Sequence, residues 1–562
     1  MLRLISLCLF AFSSYLFFQC GSNRGIDKKP VNANATNTLR LALPEPVLSL
    51  FPLFNTDVQS HRVLGNIFEP LFDVTEKNVL ISRLVDSYSW NKEGDRVKLH
   101  LKKKVFFHHD ACFGGDNEEL TSEDVAFTLN LACSQNKLNQ SSDAILGKIV
   151  GAVPYYNQVD RKNGVEGIKI FDRYTIELHL TGSYPNFLYV LSSSKYGIVS
   201  KRAYAYYQDN IVKHPIGTGP FQLYLWSATK IILSANPQYW KKDAQGNPLP
   251  YLKAIEFSIF RNKKEELSAF RNQQLDFVFD VPSQHVDDLL GDFNLKENPK
   301  TFPHKVLVIP GAKTSLLCMN PSFKPFKDPL VRKAIDLLID RNYIAEELIA
   351  GDGIPALKGF APNSPYYSNQ SMADKTFSET QALSLLKEAG YSNANPFPKI
   401  DLFVPNTDPT SISYGKYIVE RINTVLKIPC VLHVVSPEER IQAIRQNKAQ
   451  IWKIGWSPDY PDTEAYFSLF YSKNPNTADQ NPLFPKFHSE SYDLNYQMAT
   501  KEKESVIRNN FFTNCDGILQ AENWILPIMY EDFVYIFHVK CRGISVSSVG
   551  VFDFTNTFIK PL

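Results

Sequence analysis

Hydrophobic patterning changes character twice along this chain, and the order of those changes restricts the fold more than any single motif does. Up to about residue 282, apolar and polar residues alternate in short runs. "VKLHLKKKVFFHH" reads as a half-exposed strand, "GIKIFDRYTIELHL" as a hairpin around Asp172-Arg173, and "GTGPFQLYLWSATKIILSANPQYW" as a second strand pair. One helix interrupts them, where Thr121 stands three residues before Asp124 in a capping-box spacing ahead of Val125, Phe127 and Leu129. Beyond "LDFVFDVP" the period lengthens. "DPLVRKAIDLLIDRNYIAEELI", opened by Asp328-Pro329, and "ETQALSLLKEAGY", closed at Gly390, are amphipathic at helical spacing. They alternate with "PKIDLFVPN", "PCVLHVVS" and "QIWKIGW" as strands, the pattern of an α/β lobe. The last stretch, "ILPIMYEDFVYIFHVKCRGISVS", returns to strands. This order predicts an α/β protein whose first lobe is interrupted by a second and then resumed. The length of 562 residues agrees, since it exceeds the ~250–300 residues over which one core keeps growing.

Charge narrows the choice of partner. With 60 Lys and Arg against 58 Asp and Glu, the net charge of +2 supplies no electrostatic footprint for nucleic acid or an anionic membrane surface. Aromatic residues make up 13% of the chain, enough to line a cleft as well as fill a core. Met1 to Cys20 carries one basic residue, Arg3, and an apolar run through Phe18, which reads as a secretory signal peptide rather than a membrane span. Cys20, followed by Gly21, Ser22 and a polar stretch, resembles a bacterial lipoprotein processing site. Residues 21–37 would be a flexible tether and Cys20 the lipid attachment point, although Phe18-Gln19 departs from the small residues such sites favour. Cys112, Cys133, Cys318, Cys430, Cys515 and Cys541 show neither C-x-x-C nor metal-ligand spacing, leaving buried thiols or disulfides of unspecified pairing. His108-His109-Asp110 sits on a strand, where adjacent side chains face opposite ways, so no metal is expected there.

Catalytic signatures are missing in the sequence. "GTGPF" lacks the lysine and hydroxyl of a phosphate-binding loop, and its glycines suit a turn. Ser192-Ser193-Ser194-Lys195 has a serine–lysine spacing but no S-D-N or K-T-G companions. A binding protein without cofactor or metal is therefore expected ahead of an enzyme. The segment "KIGWSPDYPDTEAYFSLF" is the most suggestive, because Asp459 follows a predicted strand directly and is hemmed by Trp456, Pro458 and Tyr460. Asp459 is also a good turn residue or helix cap for "TEAYFSLF", and Trp456 a good core residue.

Nearly the whole mature chain, in order, resembles the large solute-binding proteins of bacterial peptide ABC importers, the oligopeptide- and dipeptide-binding members of extracellular solute-binding protein family 5. The stretches that carry this are "LGNIFEPLF", "VFFHH…LTSEDVAFTLN", "GTGPFQLYLW…ANPQYW", "LDFVFDVP", "LLCMNPSFKPFKDPLVRKAIDLLIDR", "LLKEAGY" and "KIGWSPDYPDTEAYF". "HHDACFGGDNEELTSEDV" is longer than the usual turn, and Lys453 stands where some relatives carry arginine. The resemblance implies a two-lobe periplasmic-binding-protein-like fold with a hinge of crossing strands. Lobe I would span 38–282, with an extra subdomain at about 66–200, lobe II would span 283–524, and 525–562 would return to lobe I. It implies a peptide ligand, permease subunits in the inner membrane as partners, and a monomer in the periplasm anchored by its lipid. Asp459 would pair with the peptide amine, Lys453, Gly455 and Ser457 would lie on a strand edge open to the peptide backbone, Trp456 would wall the cleft, and Lys453 would face a peptide carboxylate. Family members also carry muropeptides, glutathione, haem or nickel complexes, and a surface adhesin, a scaffold or a hydrolase on the same frame is the alternative of another class.

Overall fold

The computed structural model describes residues 37–54, 57–159, 164–281, 304–349, 353–392, 394–473, 483–485 and 488–560. The expected signal peptide, Cys20 and the boundary at Pro282 lie outside the described residues. One mixed sheet runs through both lobes. Its strands lie in the order Cys430–Val435, Ile400–Pro405, Ile451–Trp456, His304–Met319, Ile525–His538, Phe277–Val278, Thr38–Leu43, Ala254–Ile259, Lys230–Ala235 and Phe221–Trp226. The architecture is the two-lobe α/β arrangement read from the sequence.

Two long strands carry the chain between lobes. His304 to Ile309 pairs antiparallel with Phe533 to His538 in the first lobe, whereas Leu316 to Cys318 pairs with Ile525 to Pro527 in the second. Register shifts fall between Ile309 and Lys313 and again between Ser315 and Leu316. A bulge leaves backbone groups unpaired and increases local twist, so the ladder is most easily bent there. Within the described residues, the crossing lies inside both strands, where the register shifts fall.

Those cores are separate. The first is built on Leu39, Leu41, Phe221, Phe257 and Phe277 and continues under a four-stranded sheet formed by Val85–Trp90, Arg96–Leu101, Thr175–His179 and Ile168–Asp172. The second lobe has one core on each face of its sheet, Leu317, Val331, Leu402 and Tyr414 on one side and Leu316, Trp452, Phe467 and Tyr492 on the other. Helix signals act as expected: Asp328 accepts the Leu330 N–H at 2.9 Å with Pro329 at the first helical position, and Asp124 accepts the Thr121 N–H at 3.0 Å. The six cysteines among the described residues are all buried free thiols.

Two of the sequence stretches that carry the resemblance meet at Glu69. Its fully buried carboxylate accepts from Arg83 Nε at 2.8 Å, Thr218 Oγ1 at 2.9 Å, the Tyr239 hydroxyl at 2.8 Å and Trp240 Nε1 at 3.0 Å. A buried charge is tolerated when its oxygens are fully used in this way. The glycines of "GTGPF" serve the same junction, since a β-carbon at Gly217 would lie 2.0 Å from the Ile67 carbonyl oxygen. They are packing residues for the loop that leads into the strand Phe221–Trp226.

Candidate functional site

The strand Ile451–Trp456 places the candidate residues. On one side it pairs along its length with Thr314 to Met319, but on the other only Ile451 and Trp452 find partners, Leu402 and Phe403. From Lys453 onward that edge diverges from its neighbour, and Arg440 Nη1 donates to the Lys453 carbonyl at 2.6 Å. Gly455 is exposed, and the stem of Lys313 lies over it in the place a side chain would take. Trp456 is half-buried, donates Nε1 to the Ala465 carbonyl at 3.0 Å and meets Phe484 edge-on. Its indole is fixed by its own lobe. Ser457 is half-buried and directly follows the strand end.

Lys453 is placed differently from a free, ligand-facing cation. Its side chain is 5% exposed and its ammonium lies 2.5 Å from Asp408, whose carboxylate also accepts from the Ser411 hydroxyl. Burial pushes the Asp408 carboxyl up, but Lys453 and Lys313 outweigh it and hold the pKa well below the usual range. The sequence carried no signal that a loop 45 residues away would supply this partner.

A cavity of about 300 Å³ separates the lobes here. Glu45 and Arg62 line it from the first lobe, and Thr407 and Asp408 from the second, with Lys313 and Glu531 from the crossing strands. The cations on its walls already have partners: Arg62 meets Asp280 at 2.6 Å, Lys313 meets Glu531 at 2.5 Å and Lys263 meets Glu266 at 2.6 Å. Glu45 reaches the Thr407 hydroxyl across the gap, and burial raises its pKa above the ordinary carboxylate range.

Asp459 lies at the same boundary. It belongs to the second lobe's chain segment, yet its Oδ2 sits 2.5 Å from Nζ of Lys195 in the first, with the two side chains 22% and 12% exposed. Beside them the Ser194 hydroxyl is 2.6 Å from Nδ1 of His61. Burial keeps the His61 imidazole below its ordinary pKa, with Asp459 opposing and Lys195 reinforcing that effect. Five residues on, Glu464 is held by both lobes: Lys148 Nζ of the first lobe lies 2.7 Å away, Asn186 of the first lobe donates to it, and the Tyr496 hydroxyl of the second donates at 2.7 Å. Asp462 receives both terminal nitrogens of Arg508 at 2.7 and 2.8 Å. Tyr460 and Ala465 pack into the first lobe's core. The segment after Trp456 is therefore a bridge between lobes as well as a turn. Lys195, His61, Lys148 and Glu464 escaped the sequence reading. The Ser194-Lys195 pair was visible, but only as a fragment of an unrelated catalytic pattern.

Comparison with known proteins decides the family. Residues 79–478 match the bacterial extracellular solute-binding proteins, family 5 middle. The chain belongs to this family. Among relatives, the oligopeptide-binding protein OppA of Bacillus subtilis is 23% identical over 560 residues, covering 96% of this chain and 95% of its own. The glutathione-binding protein GsiB of Salmonella typhimurium is 22% identical over 534 residues, covering 94% and 96%. Of solved structures, Helicobacter pylori DppA in complex with the peptide STSA superposes with a TM-score of 0.79 at 22% identity, over 94% of this chain and 99% of that one. Haemophilus influenzae OppA in complex with RPPGFSPFR gives 0.80 at 18% identity, over 93% and 99%. The fold is thus that of the two-lobe binding proteins, and the family is one of extracellular or periplasmic solute-binding proteins.

Proposed function

We propose that this protein is the substrate-binding component of an ABC importer, capturing oligopeptides or dipeptides between its lobes and delivering them to membrane permease subunits. The observation that carries the reading is the pairing of an open strand edge with a carboxylate that already holds an ammonium group at 2.5 Å, both at the lobe boundary. A receptor for many peptides gains most by gripping what they share, the backbone and the terminal amine. In this reading the peptide adds to the edge at Gly455 to Ser457, Trp456 forms a rigid wall beside it, Asp459 takes the amine, and Lys453 acts through Asp408 to fix the strand. The relatives named for oligopeptides, and the solved structures holding peptides, support this choice. We place the protein in the cell envelope as a monomer, tethered through lipid on Cys20 after removal of residues 1–19.

The test is a thermal scan of the purified protein against peptide libraries. A ligand at ~100 times its dissociation constant adds about 2.7 kcal/mol to stability. Asp459→Asn should weaken binding of free-amine peptides by about 3 kcal/mol or more, a larger change than the one it makes in ligand-free stability. Equal loss of affinity and stability would show that Asp459 is a structural turn residue.

A further inference from the structure

The pair Lys195–Asp459 joins a first-lobe segment to a second-lobe segment, and both partners are largely shielded from water. The lysine is well held. Ser193 Oγ accepts the Lys195 N–H at 3.4 Å, and the Ser194 hydroxyl is fixed to His61 on the helix Val58–Leu64. Two carboxylates act on its ammonium: Asp459 in contact, and Asp143, half-buried in the first lobe. Burial alone would lower the Lys195 pKa, but these two raise it above the ordinary lysine value. Burial holds the Asp143 carboxyl above its ordinary range, with Lys195 pulling it down and Asp459 pushing it up. His61, shifted toward its neutral form, adds no second cation.

A single carboxylate in a shielded site compensates one positive charge. A second ammonium brought against Asp459 while Lys195 stays there would leave one of the two without a carboxylate in contact, which such surroundings penalise heavily. We infer that Lys195 is a resident cation in the amine subsite and a specificity-determining residue: a peptide amine binds at Asp459 only by exchange, with the Lys195 ammonium turning toward Asp143. This inference rests on the reading of Asp459 as the amine-binding carboxylate. Its consequence is a ligand class. Peptides with a free amine bear the cost of displacing Lys195, whereas peptides with an acylated amino terminus leave the pair intact and bear none. The protein therefore accepts N-blocked peptides about as well as free ones, in contrast to a site whose carboxylate waits unpaired.

The experiment uses the full mature chain, tetraalanine and N-acetyl-tetraalanine as probes, and calorimetry. The wild type should bind the two within about threefold of each other, a difference of under about 0.7 kcal/mol. Lys195→Met should tighten tetraalanine by about tenfold or more while leaving the acetylated peptide unchanged, and Lys195→Arg, which keeps a cation, should behave as the wild type. If Lys195→Met does not fold, Lys195→Gln carries the same expectation. Weaker binding of both probes by these variants would make Lys195 a ligand contact, and unchanged tetraalanine affinity would show that no exchange occurs. Either result overturns the inference. The underlying reading fails separately: if Asp459→Asn binds tetraalanine as tightly as the wild type, or if the wild type binds neither probe, the amine is not held at Asp459. Loss of tetraalanine binding in Asp459→Asn without a gain in Lys195→Met sinks the exchange alone.

Discussion

Replacing Glu464 by Gln should open the ligand-free protein. The Glu464 side chain is 1% exposed, and its first-lobe partner Lys148 is 7% exposed, with 2.7 Å between the charged atoms. Gln keeps an oxygen for the Tyr496 hydroxyl or the Asn186 amide but removes the charge that compensates Lys148. Stranding one member of a buried ion pair costs roughly 3–5 kcal/mol. Because Lys148 and Glu464 lie in different lobes, that cost falls on the closed arrangement. Once the lobes part, Lys148 is hydrated and the penalty disappears. A loss of this size changes the closed-to-open ratio by about 10²–10⁴-fold, enough to convert a mostly closed population into a mostly open one. Small-angle scattering of the ligand-free variant should then give a larger radius of gyration than the wild type, and saturating peptide should restore the smaller value at a higher peptide concentration. Lys148→Met should suppress much of the effect in the double variant, since it removes the stranded charge. An unchanged radius together with a large drop in melting temperature would refute the reasoning. It would mean that residues 458–465 stay with the first lobe during opening and that the pair is part of its core.

Three other outcomes follow from the structure. Gly217→Ala should cost about 1–3 kcal/mol or more in urea unfolding, because the new methyl would stand 2.0 Å from the Ile67 carbonyl oxygen and backbone must move to admit it. Asp336 is buried between Arg341 at 2.6 Å and Lys375 at 2.8 Å; burial raises its pKa, but the two cations reverse this and carry it below the ordinary value of 3.8. Its stabilising contribution is thus complete above the unfolded-state value and lost as pH falls through the lower folded value. Asp336→Asn should therefore cost about 3–5 kcal/mol at pH 7, and the gap to the wild type should shrink in unfolding measured near pH 3. Cys20→Ser should block metabolic lipid labelling and move the protein from the membrane to the soluble fraction; unaltered retention would exclude Cys20 as the anchor.

Much of the architecture was legible because it is written in local periodicities. The alternation in "FQLYLW" and "KIILSA", the Asp328-Pro329 start and the Gly390 stop each act within a few residues, and each reappears as the expected element. The position of Asp459 at a strand end was legible for the same reason. What it touches was not, since Lys195 lies 264 residues away and reaches it only after the lobes meet. The Lys453 ion pair was illegible on similar grounds: nothing near "KIGW" announces Asp408, which arrives from the loop after Ile400–Pro405. Charges inside a cleft are assigned by tertiary juxtaposition, and one sequence records only which charges exist.

The crossing strands have a consequence for the order of synthesis. The short strand Phe277–Val278 finds its partner in Ile536 and Phe537, and His304 to Ile309 pairs with Phe533 to His538. As the chain emerges from the ribosome, the lobe that begins first can be completed only last. Its sheet carries an unpaired interior edge until more than two hundred further residues have been made, and an edge of that kind is open to mispairing with other chains. The second lobe still awaits its own strand, Ile525 to Met529, from the same late segment. One stretch of fourteen residues therefore closes both halves of the molecule. A chain that stops short of Ile525 lacks not a terminal ornament but the central rib of the sheet that both lobes share, and holding the nascent chain unfolded until that rib arrives is the safest route to the native state.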